Sequence, residues 1–124
     1  MPALSFLPRF APLVERGDKC QTIRPVRKRP IVPGDRLVLY AGMRTKACCR
    51  IGEAVCHTAR PVFIQKALWP PDGRIVEVGG VLLFDWEVTP FARKDGFENA
   101  DEFFAFFERH YGLPFHGVLI EWGD

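Results

Sequence analysis

No stretch of this 124-residue sequence is apolar for long enough to cross a bilayer as a helix, so no membrane association is expected. Cys-x-x-Cys is absent as well. Four cysteines are present (Cys20, Cys48, Cys49, Cys56), and neither their spacing nor His57 beside Cys56 gives a zinc-type pattern. No metal and no cofactor is therefore expected. The N-terminus lacks a long apolar run followed by a cleavage site. That leads to an expectation of a reducing, cytoplasmic location with free thiols. Repeats and low-complexity linkers are missing, which leaves one domain spanning residues 1–124.

What is present points to a packed domain of short strands. Hydrophobic residues make up 48% and charged residues 26%, enough for a core and unlike a disordered chain. Eleven prolines and eleven glycines imply many turns between short elements. The net charge of +2 conceals a division. Residues 1–60 hold twelve Lys/Arg against four acids, a net +8, while residues 61–124 hold five against eleven, a net −6. One basic face for a polyanion is the functional reading of this split; two complementary solvated halves is the ordinary one.

The pattern predicts a first strand over Ala3–Phe6 and a short helix over Pro8–Arg16, with Phe10, Leu13 and Val14 on one face and Gly17 as the stop. Lys19 falls in the turn that follows, and Gln21–Arg24 reads as extended before Pro25. Residues 25–33 form a basic, proline-rich loop, and Gly34-Asp35 a turn. Arg36–Ala41 alternates as a strand, with Leu37 and Leu39 on one face and Val38 and Tyr40 on the other. Further strands are expected within Ala47–Arg60 (interrupted near Gly52), over Arg74–Val78 and Val81–Val88, and over Val118–Trp122, with a Pro-Pro turn at 70–71. A helix begins near Asn99, with Glu102 as capping-box partner and Gly112 as its end. Its Phe103, Phe104, Phe107 and Tyr111 stripe is suited to a core.

The order Phe6, Phe10, short helix, Gly17-x-Lys19-x-x-Thr22-x-Arg24, then Gly34-Asp35-Arg36-Leu37, Tyr40, Arg44-Thr45-Lys46, Asp95-Gly96-Phe97, helix and Trp122 resembles an ASCH domain over essentially the whole chain. The resemblance implies an α+β fold, a small mixed β-barrel of the PUA-like type with two or three short helices. It also implies a cleft for RNA or a modified nucleoside. The general signature has glutamate where this chain has Thr22. Threonine there is similar to the small bacterial N4-acetylcytidine amidohydrolases, in which the motif lysine and threonine are catalytic with an acid before the late helix. Carried over, that implies Lys19, Thr22 and Asp95 as catalytic residues. Arg24, Tyr40, Arg44, Lys46, Arg27 and Lys28 become the candidate ligand- or RNA-binding residues.

The residue types suit the chemistry. Amide hydrolysis needs a nucleophile, a base and stabilisation of an oxyanion. Thr22 offers the hydroxyl, Lys19 a base once burial or neighbouring cations lower its pKa, Asp95 an acid, and Arg24 a donor for a carbonyl oxygen. Ordinary roles compete: a phosphate-contacting lysine, a β-branched strand residue, a turn former before Gly96, a structural ion pair for Arg24. Three functions stay open: RNA or nucleotide binding, nucleoside amide hydrolysis, and ribonuclease action, the last without a histidine pair near the motif.

Overall fold

Proline and glycine divide the chain as the composition implies. The computed structural model describes residues 2–67 and 73–123. Its elements are β1 (Ala3–Phe6), α1 (Ala11–Arg16), β2 (Gln21–Pro25), β3 (Arg36–Ala41), β4 (Cys49–Lys66), β5 (Arg74–Val78), β6 (Val81–Leu82), α2 (Asp85–Lys94), α3 (Ala100–His110) and β7 (Phe115–Trp122). The fold is α+β. The turn expected at 70–71 lies outside the described residues.

The 18-residue β4 holds the sheet together. Its first half pairs antiparallel with β3, and its second half with both β5 and β7. The interruption expected near Gly52 is a bulge: the β3–β4 register shifts between Leu39 and Tyr40, opposite Gly52 and Arg50, and the strand continues. The ladder runs β1-β3-β4-β5-β6, with β7 and then β2 branching from β4. Among the described residues no ladder joins β1 to β2, so the sheet is open there and the barrel closure expected from the resemblance is absent.

The expected strand over Val81–Val88 is corrected. Only Val81–Leu82 pairs, and Asp85 begins α2. The run Val81-Leu82-Leu83-Phe84 has strand composition. From Asp85 onward, however, the buried positions are Val88 and Ala92, four apart, which is helical spacing. Asp85 and Glu87 sit at the positive helix end, and the Glu87 carboxylate accepts the Phe84 N–H at 2.9 Å. The first helix is also shorter than expected, starting at Ala11 with Phe10 as its cap residue. At α3, Asn99 caps as expected, accepting the Glu102 N–H at 2.9 Å. The Glu102 carboxylate forms an ion pair with Arg9, so the reciprocal half of the capping box is diverted.

The core is built from the α3 aromatic stripe against the sheet. Phe103, Phe104 and Phe107 are buried beside Leu37, Ile64, Val76 and Leu119. Each such side chain contributes about 1.5–3 kcal/mol by leaving water. Tyr111, the fourth member of the stripe, is 45% exposed and stands at the edge of a cleft.

Candidate active site

The cleft, about 460 Å³, opens beside the unpaired edges of β1 and β2. Its walls come from the end of β1, the α1–β2 connection, the 42–47 loop, the α2–α3 connection and the end of α3.

Local rules deliver Lys19. Gly17 takes the left-handed conformation at φ 84°, and the N–H groups of Asp18 and Lys19 both return to Leu13 O, at 2.8 and 3.0 Å. The chain therefore turns before β2 begins, and Lys19 and Thr22 border one cleft although they are three residues apart. On β2 itself, Thr22 and Arg24 share a face, and Arg24 Nε donates to Thr22 Oγ1 at 2.9 Å. Arg24 Nη2 donates to Ser5 O at 2.6 Å. The guanidinium thus spans the gap between β2 and β1 that no ladder fills, and lies over the Phe6 ring.

Asp95 arrives from α2. It is the C-cap of that helix, followed by Gly96 at φ 99°. Phe97 N–H bonds Ala92 O and Gly96 N–H bonds Arg93 O, both at 3.0 Å, the pairing of a Schellman stop. Lys19 Nζ donates to the Asp95 backbone carbonyl and, at 3.3 Å, to Oδ1. Gly96 permits this approach: a Cβ there would stand 2.8 Å from Phe10 Cδ1 and 3.2 Å from Lys19 Cδ.

Both charged side chains of the pair are only 4% exposed. Burial pulls the Lys19 ammonium below its ordinary range, opposed by Asp95. Burial pushes the Asp95 carboxyl above its ordinary range, opposed by Lys19, Gln21 and Arg24. The two shifts share one cause, desolvation, and both favour a neutral amine facing a protonated carboxyl. Asp95 also sits at the negative end of α2, which further disfavours a carboxylate. Arg24 is likewise lowered by burial, with Tyr111 and Asp95 opposing.

The structure brings together Lys19, Thr22, Arg24 and Asp95 from the sequence-derived set. It does not bring the others to the cleft wall. Arg44 and Lys46 belong to the 42–47 loop, but that loop faces the cleft with Gly42, Met43, Thr45 and Ala47. Arg44 is held in the left-handed region at φ 70° and is exposed, as is Lys46. Tyr40 pairs with Ser5 in the β1–β3 ladder and is not part of the wall. Arg27 and Lys28 lie on the exposed 25–30 segment; Arg27 borders a separate depression of about 290 Å³. Of the expected basic residues the cleft wall holds the buried Lys19 amine and the part-buried Arg24 guanidinium, each already bonded.

Sequence reasoning missed Gln21, whose Nε2 donates to Asp95 Oδ1 at 3.3 Å. The signal was available: Gln21 and Ile23 are two apart on a strand, so a polar side chain shares a face with a core one. Ser5 was missed too. Its carbonyl accepts from Arg24, and its Oγ accepts the Met43 N–H at 3.2 Å, tying the loop to β1. His110 also lines the cleft, its ring 4.2 Å from that of Phe106.

No family model, curated protein or solved structure matches the chain. The functional reading rests on the residues themselves.

Proposed function

We propose that this protein is an ASCH-type amidohydrolase that removes an acyl group from a modified nucleoside such as N4-acetylcytidine, using Thr22, Lys19 and Asp95. The observation that carries the reading is the buried Lys19–Asp95 pair opening onto the same cleft as the Thr22 hydroxyl. Burying two ionisable groups costs stability, and phosphate binding has no use for a lysine already committed to a carboxyl group. Proton transfer does. The cleft volume lies in the range of small-molecule sites, and Phe6, Phe10, Phe106 and Tyr111 offer flat apolar walls to a base.

The steps balance. Lys19, as the neutral amine, takes the Thr22 proton while Oγ bonds the acyl carbon. Arg24, already donating to Oγ1, steadies the negative charge that develops at this centre. The carbon–nitrogen bond breaks, and the protonated Asp95 gives its proton to the leaving nitrogen. The pair is now ammonium and carboxylate. Asp95 then takes a proton from water, which attacks the acyl-threonine; Lys19 returns its proton to Oγ, releasing the carboxylic acid.

Incubation of the protein with N4-acetylcytidine tests this. The expected result is release of cytidine and acetate, lost by about three orders of magnitude in Thr22→Ala with the fold retained. No release by pure wild-type protein overturns the reading for that substrate. The RNA-binding reading keeps one observation in its favour: Arg27 and Lys28, with Arg29, are exposed and form no ion pair among the described residues. It predicts affinity that falls steeply with salt and is indifferent to Thr22→Ala. For a ribonuclease, no second histidine joins His110 in the described wall.

A further inference from the structure

A run of exposed apolar side chains leads from β6 into the start of α2, and none of them lines the cleft. Val81, Leu82, Phe84 and Trp86 are all exposed, Phe84 to 59% and Trp86 to 73%. The last two rings stack in parallel, 4.6 Å between centroids and 5° between planes. Two exposed rings stacked on each other form a ridge that folding alone does not require. β6 ends the sheet path, and among the described residues no further strand pairs with it. Acidic residues neighbour the ridge in sequence and register: Asp85 and Glu87 on either side of Trp86 along α2, and Glu77 opposite Leu82 in the β5–β6 pairing.

The charge decides what fits. Two ridges facing each other across a two-fold axis would oppose like charges, and nucleic acid would be repelled. A cationic segment with small apolar residues is the complement, and the same chain carries one. Residues 25–30, Pro-Val-Arg-Lys-Arg-Pro, are exposed throughout, with Val26 at 66% and Ile31 buried as an anchor beyond them. The segment leaves β2 after Pro25 and bends at Lys28 and Arg29; its arginines suit aromatic ring faces, and carboxylates complement its charge.

Both surfaces are exposed, so they do not cover one another within a molecule; the ridge follows β6 and the basic segment follows β2. We propose that the 25–30 segment of one copy docks on the Phe84–Trp86 ridge of a second copy, in a head-to-tail contact. This is independent of the proposed hydrolysis.

Sedimentation velocity at protein concentrations up to about 1 mM tests it. Wild-type protein is expected to associate with rising concentration, and less so at high salt. A ridge variant (Trp86→Ser, or Asp85→Lys as a second choice) and a segment variant (Arg27→Glu with Arg29→Glu) are each expected to be monomeric alone. All these side chains are exposed, so folding is checked simply by thermal unfolding. Mixed together, the two variants still hold one intact ridge and one intact segment between them, and should form a one-to-one dimer. A monomeric wild type overturns the proposal. So does a segment variant that still self-associates, which would mean ridge-to-ridge packing, and so does association abolished by ribonuclease treatment.

Discussion

Lys19 Nζ lies 3.3 Å from Asp95 Oδ1, across 76 residues of sequence, with both side chains almost withdrawn from water. This contact joins the turn after the first helix to the end of the second. It sets the pH response of the fold as well as the proposed chemistry.

The pair should cost stability most near neutral pH. A buried lysine with a lowered pKa penalises the folded state below its ordinary 10.5, because the unfolded chain holds the proton more readily. A buried aspartate with a raised pKa penalises it above 3.8, because the unfolded chain releases the proton more readily. Relative to Lys19→Met/Asp95→Leu, wild-type stability should therefore fall as pH climbs above 3.8 and recover as pH approaches 10.5. At pH 7 the double variant should match or exceed wild type by about 1–4 kcal/mol, while either single change loses about 3–5 kcal/mol. Denaturant titrations across pH measure this; a flat difference would argue for a pair permanently charged in both states.

Arg24→Lys should separate charge from geometry. An ammonium cannot reproduce both the Nε bond to Thr22 and the Nη2 bond to Ser5 O. Hydrolysis should drop about 100-fold, chiefly in kcat. Unfolding should show a loss of about 1–3 kcal/mol, since the Ser5 carbonyl and the β1–β2 gap lose their bridge. Unchanged kcat with full substrate saturation would remove Arg24 from the chemistry.

Gln21→Leu tests a positioning residue. The Gln21 amide steadies the ionised form of Asp95, so its removal should raise the Asp95 proton affinity further. In the proposed scheme Asp95 must be protonated when the carbon–nitrogen bond breaks. The alkaline limb of the kcat profile should therefore move to higher pH, with KM little altered. A purely structural role would lower activity without moving that limb.

Gly96→Ala should damage the site from behind. The left-handed φ of 99° alone costs about 1–2 kcal/mol for an L side chain. The new methyl would also meet Phe10 and the Lys19 stem. A fall in Tm together with a shift of the Lys19 amine resonance is the expected outcome. A fall in Tm with that resonance unmoved would show that Gly96 serves the Schellman stop only.

Much of the site was legible because it depends on short-range rules. Gly17 as a helix stop puts Lys19 in a turn, and period-two alternation puts Thr22 beside Arg24. The same reasoning misread Val81–Val88, where four apolar residues suggested a strand and only the spacing of Val88 and Ala92 pointed to a helix. It also grouped Arg27, Lys28, Arg44 and Lys46 with a cleft whose wall they do not line. Sequence gives the sign of a charge, while the direction a side chain faces depends on a loop conformation such as the left-handed Arg44.

The sequence by itself determined the local elements: the capped α3, the glycine turns, the aromatic core stripe, and a strand carrying Thr22 and Arg24 on one face. These follow from backbone sterics and periodicity over a few residues. The tertiary structure alone decided that the sheet stays open between β1 and β2, that Arg24 bridges that gap, and that α2 delivers Asp95 to Lys19. It also decided that both ionisable groups lose their water. Desolvation is a property of packed surroundings assembled from distant segments, and no local pattern encodes it.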